Sequence, residues 1–358
     1  SSTTNGDTVD DADIYITFSD GLLGTAATPD VTYTQGILAD LTGNLLASDS
    51  TDTWWNSQWQ SRTKITFDNT NSGVDLDDFP VLVSLTADDV DFAKIKAGGA
   101  DIRFVDDDGM PLDYEIESWD DTVGSESANV WVKVQKINAS VNTDYIHIYY
   151  NNSAASDAQN TAGVWDVNYA GVWHLNEATG ATVIDSTSNS NDGTPEAGPA
   201  EESTGKIGGA LDFDVVGPST RIEIAADASL DLSFHDNWTM SAWVKPTSYT
   251  GTKWPTVFEY GIDATLGLAT TEEATDGRLE HWSNDNDVEH SDSVATFNAW
   301  NHIAIVRDAT TTTFYLNGVA DGSGASTNIT GGTPGGEAGG TIARTTNLSY
   351  YADTTLGG

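Results

Sequence analysis

The sequence predicts an all-β protein, and three observations support this. Short runs of alternating apolar and polar residues recur along the 358 residues, separated by Gly, Asn and Asp. No stretch has the 3.6-residue apolar period of a long helix, and the only helical candidate, 89–96, is short. Asn317–Gly318 ends an alternating run, and this dipeptide favours a type I′ hairpin turn, which needs φ > 0 at both central residues.

The first 50 residues contain no Lys or Arg. Ile14, Ile16 and Phe18 alternate with Tyr15 and Thr17, as in a strand. One or two strands cannot build an independent core. We therefore expect residues 1–50 to be an extended N-terminal attachment segment that pairs with another domain or chain and supports homo- or hetero-oligomeric assembly.

Residues 51–152 are predicted to form a small β-sandwich domain, because short strands alternate there with turn signals such as Asp-Asp-Asp-Gly at 106–109. Residues 153–162 are small and polar, which is typical of a linker. The predicted strands of this domain are 62–67, 79–86, 101–105, 114–119, 129–134 and 144–150.

Residues 163–358 are predicted to form a second, larger β domain. In its run 300–307, Ile303 and Ile305 lie on one face, and Ala304 and Val306 on the other. Apolar residues on both faces indicate a strand buried in a sandwich or beneath other structure. The predicted strands are 221–224, 238–245, 256–260, 278–282, 300–307, 313–316 and one near 341–343.

Six segments of the second domain occur in the order found in a known family; they are 173–177, 185–194, 205–214, 238–246, 300–308 and 313–319. Through them, residues 163–358 resemble a LamG-type domain, which is a concanavalin A-like jelly-roll sandwich. Residues 54–152 resemble the uncharacterised β domain that often precedes LamG domains in prokaryotic surface proteins. The resemblance implies a recognition fold that is usually non-catalytic and occurs in surface, adhesive and carbohydrate-binding proteins; fold alone does not fix function.

One departure from the family pattern lies at the end of the sequence. LamG domains normally close with a strand rich in Ile, Asp, Val and Arg after a Gly-rich turn, and residues 353–358 stop before any such strand. Either the polypeptide continues, or another segment fills the gap. We expect the predicted strand at Ile14–Phe18, from this chain or a neighbour, to complete the sheet, because an unpaired central edge would otherwise remain open.

The charge balance excludes several partners. Fifty-five Asp and Glu stand against 14 Lys and Arg, for a net charge of −41. This surface should repel nucleic acid and anionic membranes. The sequence contains no run of 18 apolar residues, so it does not predict membrane insertion. At molar salt the Debye length falls to about 3 Å, so such self-repulsion is screened. We interpret the composition as adaptation to high salt; the alternative is an acidic secreted protein from an ordinary environment.

A loop in the second domain gathers the oxygen ligands that Ca²⁺ prefers. It contains Asp185, Asn189, Asn191 and Asp192, and Glu177 or Asp212 could join them. The family often carries calcium in equivalent loops, so we predict a structural Ca²⁺ site. The alternative is an Asn/Asp/Gly turn held by its own side-chain hydrogen bonds.

Glu115 and Glu117 lie two residues apart on one strand face, and glycoside hydrolysis uses paired carboxylates. The glucanases that share the LamG fold carry their acids on the sandwich itself, and their motif is not present. His174 and His302 fall within strands and are expected to be packing residues. We predict that the protein is not an enzyme.

Aromatic residues in predicted loops suit glycan binding, because sugar rings stack on aromatic rings and amides or carboxylates bind the hydroxyls. The alternative is that these rings cover the loop edges of the sandwich. The candidate glycan-binding residues are Tyr249, Trp254, Trp282, Tyr350 and Tyr351. Sequons for N-glycosylation occur at Asn138, Asn151, Asn237, Asn328 and Asn347.

The sequence therefore predicts a non-catalytic, extracellular recognition or adhesion protein that binds host or neighbouring-cell glycans or a glycosylated surface layer. It would belong to a halophile's cell surface or to a halophile virus virion, as a spike, turret or fibre. A purely structural assembly subunit without a ligand is the competing hypothesis, and a glycoside hydrolase accessory module is a third.

Overall fold

A computed structural model describes residues 54–196, 200–202, 204–213, 220–230, 237–246, 256–260, 264–268, 277–283, 287–308, 311–325, 340–342 and 354–357. These residues are dominated by antiparallel β-strands, as predicted. The chain divides into two compact units, each built from several segments. The first unit contains Ser1–Asp77, Asp91–Leu112 and Gln135–Ala158, and the second contains Asp78–Val90, Asp113–Val134 and Gln159–Gly358.

The first unit contains a four-stranded antiparallel sheet in the order β1-β7-β3-β4. Tyr149 of β7 lies between Arg62 of β1 and Arg103 of β3. The turn from β3 to β4 is closed by a hydrogen bond from Gly109 N to Asp106 O, which confirms the predicted hairpin turn there. The strands are β1 (Ser61–Thr66), β3 (Arg103–Asp106), β4 (Pro111–Leu112) and β7 (Tyr145–Tyr150).

A three-stranded sheet of order β2-β6-β5 lies mostly in the second unit. Its strands are β2 (Leu76–Thr86), β5 (Tyr114–Asp120) and β6 (Ser127–Ile137). The register of β5 against β6 shifts between Ile116 and Ser118, so Glu117 is the extra residue of a β-bulge in β5. The helical candidate at 89–96 is a single 3₁₀ turn, Phe92–Lys94, capped by the Asp91 side chain.

The second unit also contains two seven-stranded antiparallel sheets. One has the order β19-β18-β17-β12-β21-β10-β9, and the other β16-β15-β14-β13-β20-β11-β8. Their strands are β8 (Gly193–Glu196), β9 (Ala200–Glu202), β10 (Ala210–Asp212), β11 (Arg221–Ile224), β12 (Trp238–Pro246), β13 (Thr256–Tyr260), β14 (Ala264–Leu268), β15 (Arg278–Ser283), β16 (Asp287–Val294), β17 (Asn301–Asp308), β18 (Thr311–Leu316), β19 (Val319–Ala325), β20 (Gly340–Ile342) and β21 (Thr354–Gly357).

One hydrophobic core joins these two sheets. Ile303 and Ile305 of β17 and Phe314 of β18 are fully buried in it, together with Ile222 of β11 and Leu279 of β15. Alternate residues along each strand enter the core because strand side chains point to opposite faces in turn. The single contiguous core is what a sandwich of two packed sheets requires.

The structure confirms the type I′ turn predicted at Asn317–Gly318. Asn317 has φ 52° and Gly318 has φ 79°, the left-handed conformation that a type I′ turn requires at both positions. The turn also ties the hairpin to the neighbouring strand, because His302 N donates to Asn317 Oδ1 and Asn317 N donates to His302 O.

The sequence pattern does not predict a strand at 354–357, but the structure contains one. β21 lies inside the first seven-stranded sheet, where Leu356 pairs with Val244 of β12 on one side and Leu211 of β10 on the other. Its short Thr-Thr-Leu-Gly sequence lacks the apolar alternation that marks a strand, so it could not be identified from composition. The proposed pairing strand at Ile14–Phe18 lies outside the described residues, and the domain boundaries at 51–152, 153–162 and 163–358 remain predictions.

Candidate functional site

A buried cluster of three ionisable side chains lies in the second unit. Glu115 and Glu117 come from β5, and His174 comes from the segment before β8. His174 Nδ1 is 2.8 Å from Glu117 Oε2, and His174 Nε2 is 3.2 Å from Glu115 Oε2. Relative exposure is only 6% for Glu115, 7% for Glu117 and 7% for His174. The two glutamates share a strand face, as predicted, and hold one imidazole between them.

Polar groups from three further side chains fix the carboxylates. Trp165 Nε1 donates to Glu115 Oε2 at 2.8 Å, and Ser186 Oγ donates to Glu115 Oε1 at 2.6 Å. Trp131 Nε1 donates to Glu117 Oε2 at 2.5 Å. Glu117 Oε1 is buried without a hydrogen-bond partner. Charged groups at this depth are stable only when they are paired and hydrogen-bonded, and three of the four carboxylate oxygens meet that condition.

The cluster carries ionised groups. Burial disfavours the charged imidazolium, but the contacts with Glu115 and Glu117 outweigh it and raise the pKa of His174 to about 10. Burial likewise opposes ionisation of Glu115, but its contacts with His174, Ser186 and Trp165 outweigh burial and lower its pKa. At neutral pH the cluster therefore contains a protonated His174 and an ionised Glu115.

This arrangement does not suit glycoside hydrolysis. A catalytic acid needs a carboxyl group with a raised pKa that can reach the leaving-group oxygen. The pKa of Glu115 is lowered, and the carboxylates of both glutamates are turned toward His174 and the indole N–H groups. We call these three residues the Glu–His–Glu cluster; its geometry is that of a buried ion pair.

Sequence reasoning missed the role of His174. It was expected to be a packing residue, and it is buried, but it is the charged partner of two carboxylates. About 60 residues of sequence separate it from Glu115, and no local spacing pattern joins them. The apolar neighbours of His174 in the sequence, Trp173 and Leu175, indicate only that it belongs to a strand.

Most polar groups of the predicted calcium loop are occupied by hydrogen bonds. Asp185 Oδ1 accepts from Val172 N and Thr187 N, and Asp185 Oδ2 accepts from Thr187 Oγ1 and Asn191 N. This is the pattern of a turn held by an Asp side chain, the alternative stated above.

The other predicted ligands also contact the protein. Glu177 Oε1 accepts from Ile184 N, and Asp192 Oδ1 accepts from Asp185 N. The amides of Asn189 and Asn191 donate to Ala170 O. Asp212 lies on β10, away in sequence from this loop. The calcium site stays a prediction.

Within the described residues, one group of three carboxylates lies close enough to share a cation. Asp106, Asp107 and Asp108 at the β3–β4 turn have oxygens within 4.8 Å of one another. Asp107 and Asp108 are exposed, and exposed acidic turns are common without a metal.

A second group of side chains lies on the solvent-facing side of the first seven-stranded sheet. Trp238, Met240 and Val244 of β12 enter the core, so the alternate residues Ser241 and Trp243 point outward. Trp243 pairs across the sheet with His302, with ring centroids 5.2 Å apart in an edge-to-face arrangement.

Further residues complete this surface. Lys206 Nζ lies 4.9 Å from the Trp243 ring centroid. In the next row, Ser241 pairs with Ala304 and Ala304 with Tyr315. Burial lowers the pKa of His302, so its imidazole is neutral at pH 7. We name this surface the aromatic face: Lys206, Ser241, Trp243, His302, Ala304 and Tyr315.

The sequence did not single out the aromatic face. Trp243 and His302 lie in predicted strands, whereas the candidate glycan-binding residues are all aromatic residues of predicted loops. Of those candidates, Tyr249, Trp254, Tyr350 and Tyr351 lie outside the described residues, and Trp282 lies in β15 with no described side chain. His302, expected to be a packing residue, is only partly buried.

The sequons differ in their surroundings. Asn138 and Asn237 are exposed and Asn151 is partly buried, while Asn328 and Asn347 lie outside the described residues. The side-chain amide of Asn138 donates to Asp144 Oδ2. Glycosylation remains a prediction. No helix among the described residues is long and apolar enough to cross a membrane.

Comparison with known families identifies two domains. Residues 217–353 match the concanavalin A-like lectin/glucanases superfamily, in its Laminin_G_3 family. Residues 98–189 match a domain of unknown function, DUF2341. The chain therefore contains a concanavalin A-like domain preceded by a DUF2341 domain, and the resemblance found in the sequence is confirmed. The Glu–His–Glu cluster lies entirely within the DUF2341 match.

No curated protein sequence matches the chain significantly. Among solved structures, a Bacteroides ovatus protein provisionally described as carbohydrate-binding is 14% identical, with a TM-score of 0.33, covering 82% of this chain and 74% of that one. The binding domain of botulinum neurotoxin DC, in complex with SialylT, is 10% identical with a TM-score of 0.36, covering 54% and 48%. Trypanosoma rangeli sialidase is 11% identical with a TM-score of 0.38, covering 66% and 39%. The chain thus spans about half of the neurotoxin binding domain. Structural similarities this distant do not identify a ligand for this chain.

Proposed function

We propose that this protein is a non-catalytic recognition protein that binds glycans through its concanavalin A-like domain. The observation that carries the proposal is the aromatic face. A partly exposed Trp243, a neutral His302 and a hydroxyl from Ser241 combine a stacking surface with hydrogen-bonding groups, as sugar sites require. The superfamily description, which covers lectins and glucanases, agrees with a carbohydrate ligand.

The choice between lectin and glucanase rests on the Glu–His–Glu cluster. Glu115 and Glu117 are the carboxylates whose spacing suggested hydrolysis, and both are buried against His174. A substrate would have to displace a buried ion pair to reach them, which is energetically expensive. Recognition without catalysis is therefore the better-supported function.

The location we propose is extracellular and saline, on a cell surface or a virion. The net charge of −41 supports this, because molar salt screens the repulsion that such a surface creates. Dialysis from molar to low salt should lower the melting temperature of the protein. An unchanged melting temperature would contradict the high-salt part of the proposal.

A glycan-binding screen in molar salt tests the main proposal. We expect wild-type protein to bind at least one class of glycan and to hydrolyse none of the glycans it binds. Binding that weakens in EDTA would support the predicted calcium site at Asp185–Asp192. Failure to bind any glycan, with or without Ca²⁺, would favour the competing role as an assembly subunit without a ligand.

A further inference from the structure

Small residues are the cross-strand neighbours of both rings of the aromatic face. Trp243 pairs with Gly357 of β21 on the side opposite His302, and glycine has no side chain to cover the indole there. Tyr315 lies between Ala304 and Ala320. Neighbouring strands are about 4.8 Å apart, and Tyr315 is offset from Trp243 by two residues along the strand direction. The two residues, which lie two strands apart, therefore stand about 12 Å from each other. A ligand of more than one sugar ring could therefore contact both.

Two lysines flank Trp243. Lys206 places its ammonium group over the indole, 4.9 Å from the ring centroid. Lys245 follows two residues along β12, so it points to the same face, about 7 Å along the strand. Among the described residues, no carboxylate forms an ion pair with either lysine.

This pair of lysines lies in a strongly acidic unit. The second unit has eight Lys and Arg against 36 Asp and Glu, so its cations have a large excess of possible carboxylate partners. Lys136 of the first unit, by contrast, contacts both Asp75 and Asp77. Two cations beside one tryptophan, with no ion pair to a carboxylate of the described residues, favour a ligand that brings its own negative charge.

We propose that the aromatic face binds an acidic glycan, one whose sugar residues carry a carboxylate, such as uronic or sialic acid. Trp243 stacks on a pyranose ring, Lys206 and Lys245 bind the carboxylate, and His302 and Ser241 bind hydroxyls. The inference rests on the proposed function and adds the class of ligand and the surface that receives it.

The test is a binding panel in which each oligosaccharide containing uronic or sialic acid is paired with its carboxyl-reduced form. Measurements use the full chain at the lowest salt concentration that keeps it folded, because screening weakens contacts between charges. We expect wild-type protein to bind the carboxylated form at least about ten times more tightly, corresponding to about 1.4 kcal/mol.

Variants separate the stacking from the charge. Trp243→Ala should lose binding to both forms by about tenfold or more, while Trp243→Phe, which keeps a ring, should retain most of it. The double variant Lys206→Gln/Lys245→Gln should bind both forms equally. Lys94→Gln, which removes an exposed cation of the first unit, should behave as wild type.

The outcomes distinguish the inference from the proposed function. If wild-type protein binds no glycan in the panel, the proposed function fails and the inference fails with it. If wild-type protein binds but Trp243→Ala binds equally well, glycan recognition stands and the aromatic face is not its site. If the double lysine variant keeps the preference for the carboxylated form, the two lysines are not the groups that bind the carboxylate.

Discussion

The Glu–His–Glu cluster and the aromatic face use the same kinds of side chain for opposite purposes. Both combine tryptophan, histidine and charged groups within the second unit. In the cluster, the indole N–H groups of Trp131 and Trp165 and the imidazole of His174 are all directed at carboxylates. On the aromatic face, the indole is partly exposed, and no carboxylate of the described residues forms an ion pair with the nearby ammonium group of Lys206.

The difference shows that residue type alone does not identify a binding site. In the Glu–His–Glu cluster, the imidazolium and three of the four carboxylate oxygens are paired within the protein, and all three side chains are buried. The aromatic face keeps apolar ring surface and positive charge available. The Glu–His–Glu cluster should therefore control stability and the aromatic face binding, and three measurements test that division.

The largest expected effect is on stability, from His174→Leu. Removing the imidazolium leaves two carboxylates buried without their partner, which costs about 3 to 5 kcal/mol of unfolding free energy. The matched control is His302→Leu on the aromatic face, where we expect less than about 1 kcal/mol. Denaturant unfolding in molar salt measures both. Equal losses for the two variants would remove the distinction between the clusters.

The second effect is the dependence of stability on pH. The folded pKa of His174 is raised to about 10 from its usual 6.5, so its contribution is complete below pH 6.5 and is lost as the pH rises toward 10. The slope cannot exceed about 1.4 kcal/mol per pH unit for one proton. The lowered pKa of Glu115 acts in the opposite direction: its contribution is present above about pH 4.5 and is lost as the pH falls through the lowered value.

Unfolding free energy measured from pH 6 to pH 10 tests this. Wild-type protein should lose stability across that range, and His174→Gln, which cannot titrate, should show a flatter profile. An alkaline slope that is the same in both proteins would mean that other groups produce it.

The smallest effect comes from one chemical change made at two places. Trp131→Phe removes an N–H that binds Glu117 and should cost about 1 to 3 kcal/mol, because a buried carboxylate oxygen keeps only its contact with His174. Trp243→Phe on the aromatic face should stay within about 0.5 kcal/mol of wild type. Thermal unfolding of the two variants side by side gives the comparison, and a reversed order would contradict the assignment of roles.

Local sequence patterns were sufficient for most of the fold. The strands Arg221–Ile224 and Thr256–Tyr260 have the predicted bounds, because apolar alternation and flanking turn residues mark them. The Asn317–Gly318 turn followed from the steric freedom of two residues. β21 was missed, since its pairing with β12 and β10 is determined by the sheet around it and not by its own four residues.

The Glu–His–Glu cluster and the aromatic face were harder to predict than the strands. The shared face of Glu115 and Glu117 followed from the two-residue period of a strand. Their joint contact with His174 depends on tertiary structure that brings distant segments together. Trp243 has Gly357 as a neighbour across the sheet, in a strand that the sequence pattern does not predict. Neither fact is written in the spacing of residues along the chain.

The position of β21 has a consequence for how the concanavalin A-like domain folds. Leu356 must pair with Val244 and Leu211, residues that are synthesised long before it. Until Thr354–Gly357 arrive, β12 and β10 each present an unpaired edge in the middle of the sheet. Contacts between such distant residues make folding slow, because the entropy of closing long loops opposes each one. A nascent chain would therefore expose two unpaired strand edges until β21 inserts, and the dense negative charge would repel neighbouring unfinished chains.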